Sequence, residues 1–241
     1  MTVAYDGTDF LGWQKTDAGL SIEGTLQENL EKILRHPIAL QAASRTDAGV
    51  HAWGQVVNFF TESEIPLHKL QHSLNCVLRG QIAVREMVQA EKNFHPTLDC
   101  KGKEYHYSVC YDHVQLPHRR LYAWHYPYEL DVEKMICASK DFIGKKDFST
   151  FCNVQKNSPV AHYIREVKNI EIVADGKNIL IKISGNNFLY KMVRNIVGTL
   201  VYIGKGKLPE DCIPSLLSGM DRTEAGITAP AHGLSLFQVF Y

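Results

Sequence analysis

Two stretches in the first hundred residues carry apolar side chains at helical spacing. The first follows a capping box formed by Thr25 and Glu28 and ends before Pro37, and the second begins at Pro66. The apolar residues that would share one face are Leu26, Leu30, Ile33 and Leu34 in the first stretch, and Leu67, Leu70, Leu74 and Leu78 in the second. We therefore predict two amphipathic helices in this part of the chain.

Shorter apolar stretches around these helices predict four strands. They are residues 1–6, 38–43, 53–60 and 82–89. A polar loop, residues 44–52, joins the second strand to the third. The first hundred residues thus have the order β-α-β-β-α-β.

The second half is predicted to repeat this order, β-α-β-β-α-β. The alternating residues 103–111 and the final residues 234–240 predict strands, and 164–173 with 179–184 predict a hairpin that turns at Asp175-Gly176. Three helices are predicted over residues 131–143, 187–203 and about 210–217. In the first of these helices the inward-facing residues would be Val132, Met135, Ile136 and Ile143.

The element order indicates an α+β fold made of two ferredoxin-like halves, residues 1–100 and 101–241. We expect the halves to form one long mixed sheet, mainly antiparallel, with helices on one side. A cleft on the other face, where the halves join, is the expected place for a ligand. No low-complexity linker separates the halves.

Composition excludes several classes of protein. With 241 residues and 45% hydrophobic content, the chain can bury a substantial core. The most apolar stretch, 188–203, contains Lys191, Arg194 and Asn195, so it is not expected to span a membrane, and the first residues lack the pattern of a signal peptide. None of the six cysteines forms a C-x-x-C pair, which favours free thiols in a reducing cytoplasm.

Histidine content and net charge give little direct support for a ligand. His68 and His72 have helical i, i+4 spacing but no third metal ligand nearby, so we expect no metal. The formal net charge is zero, so binding to nucleic acid would require cations gathered on one face. The candidates, which could equally be ordinary solvated surface, are Lys101, Lys103, His118, Arg119, Arg120, Lys156, Arg165, Arg194, Lys205 and Lys207.

The loop between the second and third predicted strands carries the clearest chemical signal. Asp47 follows Arg45 by two residues, and a neighbouring cation favours the ionised carboxylate. Gly49 allows a sharp turn directly after Asp47. Without further context, the favoured interpretation of Asp47-Ala48-Gly49 is a turn in which the aspartate bonds its own backbone. The alternative is a catalytic carboxylate on a rigid mount.

The sequence resembles the A-type tRNA pseudouridine synthases in eight blocks that occur in family order over nearly the whole chain. The blocks lie at Tyr5–Gln14, Arg45–Ala52, Gly54–Val56, Phe94–His95, Lys103–Tyr107, Lys146–Phe151, Gly185–Leu200 and Ala225–Leu234. The resemblance implies the pseudouridine synthase fold. It also implies isomerisation of uridine to pseudouridine at nucleotides 38 to 40 of the tRNA anticodon arm, without a cofactor.

The resemblance also assigns roles to individual residues. It implies that Asp47 is the essential nucleophilic aspartate and that Tyr105 stacks on the uracil. It further implies that Arg194 binds at the site as the partner of Asp47, and that Arg45 contacts the RNA or fills the place of the extruded base. Ordinary strand packing for Tyr105 and a structural ion pair for Arg194 are the alternatives.

Two loops resemble family segments that contact tRNA. The implied RNA-binding residues are Phe94, His95, Thr97, Gln155, Lys156, Asn157 and Ser158. Thr97 stands where the family has arginine, and Ser44 stands where it has glycine before the Arg-Thr-Asp motif. The family is typically a homodimer, which we expect here too.

Two other functions compete with the isomerase. The first is a non-catalytic tRNA-binding protein on the same scaffold, which would have little use for a carboxylate at a site for polyanionic RNA. The second is a glycosidase-like hydrolase, which would need a second catalytic carboxylate, and the sequence marks none.

Overall fold

The computed structural model describes residues 1–78, 80–153 and 162–241 and confirms the α+β class. The chain divides into two compact units: Met1–Lys101 with Ser235–Tyr241, and Gly102–Leu234. The division expected from the sequence placed the final strand in the second half, whereas the structure groups it with the first unit. The functional roles expected of the two halves stay predictions.

The first unit has the predicted order β-α-β-β-α-β. Its elements are β1 (Thr2–Tyr5), α1 (Ile22–Leu34), β2 (Gln41–Ala42), β3 (His51–Asn58), α2 (Leu67–Leu78) and β4 (Ile82–Glu86). Strand β1 lies between β3 and β4 and is antiparallel to both, and β2 pairs antiparallel with β3. The second predicted strand is therefore much shorter than residues 38–43.

The start of α1 differs from the prediction. The helix begins at Ile22, and its N-cap is Ser21, whose side-chain oxygen accepts a hydrogen bond from Gly24 N at 3.3 Å. Thr25, predicted to be the cap, already lies inside the first turn. The capping-box pattern was misleading because two serine or threonine hydroxyls stand four residues apart, and only the packing of Ile22 selects the first.

The helices of the first unit bury leucines at the predicted spacing, with two exceptions. The buried residues are Ile22, Leu26, Leu30 and Leu34 in α1, and Leu70, Leu74 and Leu78 in α2. Ile33 is only half-buried, and Leu67 is exposed because it stands at the first position of its helix. The two helices pack against each other, and α2 also packs against β4.

The second unit contains more strands than its sequence predicted. Its elements are β5 (Gly102–Cys110), β6 (Trp124–His125), α3 (Val132–Ser139), β7 (Gly144–Asp147), β8 (Ile164–Asp175), β9 (Asn178–Gly185), α4 (Met192–Gly204) and α5 (Ile213–Gly219). The final strand of the chain is β10 (Leu234–Phe240), which runs parallel to β3 at Ser235 and Leu236. Strands β6 and β7 were missed because one is only two residues long and the other reads Gly-Lys-Lys-Asp, without apolar alternation.

Strand register in the second unit confirms the predicted hairpin. The strands have the order β5-β9-β8-β7, all antiparallel, and β6 adds a parallel pair to β5. Asp175 faces Asn178 at the turn, where Gly176 has a φ of 56°. This left-handed conformation favours glycine and explains the strong turn signal.

Two helices of the second unit are shorter than predicted. Helix α4 begins at Met192 rather than residue 187, after Lys191 in a left-handed conformation. Helix α3 ends at Ser139, and its buried residues are Met135, Ala138 and Ser139, while Val132 and Ile136 are half-buried and Ile143 lies beyond the helix. Over the described part of the chain, no helix is long and apolar enough to cross a membrane.

The two possible caps of α1 can be distinguished by substitution. Ser21→Ala should lower the free energy of unfolding by about 1 kcal/mol, because it leaves the Gly24 N–H without its acceptor. Thr25→Ala should change it by less than about 0.5 kcal/mol. Urea unfolding of both variants measures the difference. Equal losses, or a larger loss at Thr25, would contradict the assignment of Ser21 as the cap.

Candidate active site

Asp47 lies on a tight turn between β2 and β3, and its side chain is half-buried. Val50 N donates to Asp47 O at 3.1 Å and closes the turn. Gly49 has a φ of 76°, a conformation that residues with a side chain rarely adopt, so the glycine is required where the sequence predicted it. Thr46, directly before the aspartate, is buried.

The N-terminal segment forms a cradle for this turn. Trp13 N donates to Thr46 O at 3.0 Å, and the Tyr5 hydroxyl shares a 2.8 Å hydrogen bond with Thr46 Oγ1. Gly49 N donates to Phe10 O at 3.4 Å. The backbone on both sides of Asp47 is therefore fixed by hydrogen bonds from one short segment.

The same segment is tied to the start of α1. Ile22 N donates to Gly12 O at 3.1 Å, and Glu23 N donates to Trp13 O at 3.0 Å. Two of the N–H groups that a helix start leaves without intrahelical partners are satisfied in this way. The cradle thus connects the turn that carries Asp47 to a helix of the core.

Two glycines of the cradle are pressed against the backbone of the turn. A Cβ atom at Gly12 would lie 2.7 Å from Thr46 O, and one at Gly7 would lie 2.1 Å from Val50 O. Any side chain at either position would push the turn away. From the sequence, this opening block could be identified only by its resemblance to the family, without a role for its residues. Its alternation of aromatic residues and glycines was the available signal.

Two buried polar side chains hold the ends of the turn. Gln55 Nε2 donates to Ser44 O at 2.6 Å, and Ser44 N donates to Gln55 Oε1 at 3.2 Å. His51 Nδ1 accepts from Gly7 N at 3.0 Å and lies 3.2 Å from Asp6 Oδ1. The His51 ring is therefore held between the Gly7 backbone and the Asp6 carboxylate.

Arg45 is exposed, in contrast to its buried neighbour Thr46. Its side chain is on the solvent side of the turn that carries Asp47. A contact between Arg45 and RNA, and an effect of Arg45 on the ionisation of Asp47, stay predictions.

In the second unit, Tyr105 lies on β5 opposite Ile183 of β9. Its ring is 7% exposed and meets the edge of Phe188 at a centroid distance of 5.3 Å and an angle of 87°. An edge-to-face contact of this kind fixes the orientation of the Tyr105 ring.

Lys103, two residues before Tyr105, is 5% exposed, and its ammonium donates to Asn187 Oδ1 at 3.0 Å. It was one of the cations considered for a basic surface. This interpretation is wrong for Lys103, because the ammonium is buried and hydrogen-bonded.

Arg194 lies in the first turn of α4 and is half-buried. Its Nε donates to Ala229 O at 2.7 Å, and Ala229 N donates back to Arg194 O at 3.1 Å. Next to Ala229, Pro230 O accepts a hydrogen bond from the buried Tyr107 hydroxyl at 2.7 Å. Burial raises the pKa of Tyr107, and the positive charge of Arg194 opposes this increase. The predicted partnership of Arg194 with Asp47 stays a prediction.

A buried asparagine next to Arg194 connects α4 to the loops around it. Asn195 donates to Phe151 O and to Asn153 Oδ1, both at 2.8 Å. The side-chain oxygen Oδ1 of Asn195 accepts hydrogen bonds from Arg222 Nη2 at 2.9 Å and from the Thr228 hydroxyl at 2.7 Å. In the sequence, Asn195 stands out only as a polar residue within the apolar stretch 188–203. A fully buried amide with four partners is a structural element of the site that spacing alone could not reveal.

Close backbone packing explains the glycines of the last two family blocks. A Cβ atom at Gly198 would lie 1.7 Å from Ile227 O, and one at Gly226 would lie 2.5 Å from Thr199 Cα. The segment that ends in Ala229 therefore lies directly on α4. This contact sets the position of the carbonyl that holds Arg194.

The first of the two predicted RNA-binding loops is tied to its own unit. His95 Nδ1 accepts from Thr97 N at 3.1 Å, and the Thr97 hydroxyl donates to Ala42 O at 2.8 Å. The Phe94 ring meets the Tyr241 ring at 5.0 Å. Any RNA contact by these residues stays a prediction. The second predicted loop, with Gln155, Lys156, Asn157 and Ser158, lies outside the described residues.

The described residues contain no group of three or more histidine, cysteine, aspartate or glutamate side chains that could hold a metal ion. His72, considered above with His68, lies 3.6 Å from the sulfur of Cys76 on the same helix. All six cysteines are free thiols.

Comparison with protein-family models matches residues 1–99 and 138–241 to the family described as tRNA pseudouridine synthase. Among curated proteins, tRNA pseudouridine synthase A 2 of Protochlamydia amoebophila (strain UWE25) is 54% identical, over 100% of this chain and 93% of that protein. tRNA pseudouridine synthase A of Thermoanaerobacter sp. (strain X514) is 42% identical, and that of Geotalea uraniireducens (strain Rf4) is 38% identical. Each of these two alignments covers 100% of this chain and 98% of the relative.

One solved structure, "Crystal Structure of a Cbf5-Nop10-Gar1 Complex", aligns at 15% identity with a TM-score of 0.40. The alignment covers 84% of this chain and 45% of that chain. This likeness is too distant to support an argument about the site.

The contact between Gly12 and the turn predicts a large effect of one methyl group. Gly12 has a φ of 93°, and Gly80 has a similar φ of 84°, but among the described residues no atom lies within 4 Å of a Cβ added at Gly80. Both alanine variants are destabilised by the left-handed backbone conformation, but only the methyl group of Gly12→Ala collides with Thr46 O. Gly12→Ala should therefore lower the free energy of unfolding by roughly 1–3 kcal/mol more than Gly80→Ala. Chemical denaturation measures both variants, and equal losses would refute the cradle.

Proposed function

Because this chain belongs to the tRNA pseudouridine synthase family, we propose that it acts on nucleotides 38 to 40 of the tRNA anticodon arm with Asp47 as its essential carboxylate. The chain is an isomerase that converts uridine in tRNA to pseudouridine. The proposal is supported mainly by the hydrogen bonds that hold the turn with Asp47 in place. A half-buried carboxylate on a turn clamped from both sides is the arrangement that a catalytic group needs.

The reaction breaks the N1–C1′ bond, turns the uracil ring and forms a C5–C1′ bond. C5 loses its proton and N1 gains one, so the product has the composition of the substrate. No oxidant, reductant or energy source is required. A carboxylate can promote the first step by adding to C1′, or it can take a proton from the sugar and give a glycal. Asp47 serves in either route, and the cradle holds it still for both.

The target base must leave its stack before it reaches a half-buried carboxylate, which costs a few kcal/mol. Arg45 is exposed next to Asp47 and is therefore placed to meet the RNA first. A guanidinium can contact a phosphate or stack in the place that the base has left. We assign this role to Arg45.

Tyr105 and Arg194 complete the proposed substrate-binding residues. The Tyr105 ring is oriented by Phe188, which suits it to stack on the extruded uracil, and its hydroxyl would help to remove the C5 proton. Arg194 is held by the Ala229 carbonyl through Nε, which fixes its guanidinium at the start of α4. We propose that Arg194 interacts with Asp47 in the working enzyme.

The loops with Phe94, His95 and Thr97, and with Gln155, Lys156, Asn157 and Ser158, are proposed to contact the tRNA. The Thr97 hydroxyl already donates a hydrogen bond to Ala42 O. This loop would therefore contact the tRNA through its backbone and the His95 ring rather than through a cation. We further propose that the enzyme is a homodimer in the cytoplasm, as the family resemblance implies. Sedimentation would distinguish one chain from two.

Asp47→Asn should abolish the reaction and leave tRNA binding nearly unchanged, because the amide keeps the shape of the side chain but cannot act as nucleophile or base. Tritium release from tRNA labelled with [5-³H]uridine should fall on the order of a thousandfold or more. Asp211→Asn, at an exposed aspartate in the second unit, is the matched control. Wild-type release by the Asp47 variant would refute the role of the carboxylate.

Substitutions at Tyr105 separate its ring from its hydroxyl. Tyr105→Phe should bind tRNA normally and release tritium about tenfold or more slowly, because a proton-transfer group is lost. Tyr105→Leu should weaken binding of the extruded base as well. Tyr111→Phe, which removes a hydroxyl bonded to Gly176 O, serves as control. Normal turnover by Tyr105→Phe would exclude the hydroxyl from the reaction.

A further inference from the structure

Two exposed lysines near the end of α4 stack on tyrosine rings. The Lys205 ammonium lies 4.8 Å from the centre of the Tyr128 ring, and the Lys207 ammonium lies 4.5 Å from the centre of the Tyr202 ring. We call these four residues the lysine–tyrosine patch. All belong to the second unit, and Tyr128 is 53% exposed.

The two lysines of the patch are exposed, and the charge of Lys205 is partly opposed by Glu129 at longer range. Glu129, the acidic neighbour of Tyr128, pairs with Lys177 at 2.7 Å. Within the described parts of the chain, neither Lys205 nor Lys207 has a carboxylate within ion-pair distance. Cations are favoured at the C-terminus of a helix, which accounts for their stability there. Helix stabilisation does not require the exposed rings beneath them.

A ladder of aromatic rings supports the patch from the core. Its successive centroid distances are 6.3 Å from Tyr107 to Trp124, 5.1 Å from Trp124 to Tyr126 and 5.2 Å from Tyr126 to Tyr128. The first three rings are at most 7% exposed. Tyr128 is therefore the surface end of a chain of edge-to-face ring contacts, which lowers the entropy lost when a partner binds its ring.

The buried Tyr126 hydroxyl lies close to a lysine of the patch. Tyr126 is 7% exposed, and burial raises the pKa of its hydroxyl, while the positive charge and hydrogen bond of Lys207 oppose the increase. The Lys207 ammonium is therefore held between the Tyr126 hydroxyl and the Tyr202 ring.

The patch lies at a defined distance from the proposed substrate-binding residue of the same helix. Lys205, the residue directly after α4, lies eleven positions beyond Arg194. At 1.5 Å per residue, the two positions are about 16 Å apart along the helix axis. This corresponds to about five base steps of nucleic acid at 3.4 Å each. A tRNA bound at Arg194 is long enough to reach the patch.

We propose that the lysine–tyrosine patch binds the RNA backbone several nucleotides away from the target uridine, with an unstacked base or ribose on Tyr128 and phosphates at Lys205 and Lys207. An exposed ring next to exposed cations is the combination that binds single-stranded nucleic acid without reading sequence. The inference rests on the proposed function, because it takes tRNA as the ligand. It gives a neutral chain a local source of positive charge.

The salt dependence of tRNA binding tests the phosphate contacts. In the K205Q/K207Q double variant, the slope of log affinity against log salt should become shallower by about 1.4–1.8, because each lost phosphate contact removes about 0.7–0.9. The control is K134Q/K145Q, which removes two exposed lysines elsewhere in the same unit and should leave the slope unchanged. An unchanged slope in K205Q/K207Q, or an equal change in the control, would overturn the proposal.

Substitution of Tyr128 tests the stacking contact. Tyr128→Leu should weaken tRNA binding by about fivefold or more, and Tyr128→Phe should not, because only the ring is needed. Thermal unfolding of each variant separates a binding loss from a loss of fold. Equal affinities of the two variants would remove Tyr128 from the site.

These binding experiments are read independently of turnover. If the wild-type protein binds tRNA but releases no tritium, the proposed reaction fails while the patch is still tested by the salt slope. If the wild-type protein is active and the slope of K205Q/K207Q is unchanged, the patch fails and the proposed function stands.

Discussion

The position of Asp47 depends on one contact, in which the backbone of Gly12 and Trp13 meets the backbone of Thr46. Trp13 N donates to Thr46 O, and Gly12 leaves no room for a side chain between the two segments. The carbonyls of Gly12 and Trp13 are in turn held by the first N–H groups of α1. A half-buried carboxylate is thereby connected, through backbone hydrogen bonds, to a helix that is anchored in the core. Side-chain packing alone would not fix a turn of this kind so firmly.

In the second unit, a side-chain hydrogen bond and close backbone packing fix the position of Arg194. Arg194 stands at the start of a helix that is buried almost throughout, and its guanidinium is held by the carbonyl of Ala229. The segment that supplies this carbonyl lies on α4 because Gly198 and Gly226 allow close backbone contact. The Asn195 amide oxygen then accepts hydrogen bonds from Arg222 and Thr228, which follow or belong to the same region of the chain. A buried hydrogen-bond network of this kind favours one geometry, since an alternative would leave more groups unpaired.

Charge in this molecule is organised locally rather than globally. The chain as a whole is neutral, yet Lys205 and Lys207 are exposed and lie over aromatic rings, while Lys103 is buried against Asn187. A count of basic residues treats all three alike. The field that an RNA molecule meets depends on which ammonium groups keep their exposure and lack a carboxylate partner.

The sequence by itself determined the family, the α+β class, the helices and strands with strong periodicity, and the residue proposed to do the chemistry. These properties are written in local spacing and in ordered motifs, such as the block around Asp47. The cap at Ser21, the strands β6 and β7, the burial of Lys103 and the cradle beneath Asp47 were decided by the tertiary structure. Each depends on contacts between residues far apart in the chain: Ser21 becomes the cap only because Ile22 is packed in the core, and β7 becomes a strand only because β8 offers its edge. The glycines of the first block have the same origin, since the need for a missing side chain at Gly12 is set by Thr46, thirty-four positions later.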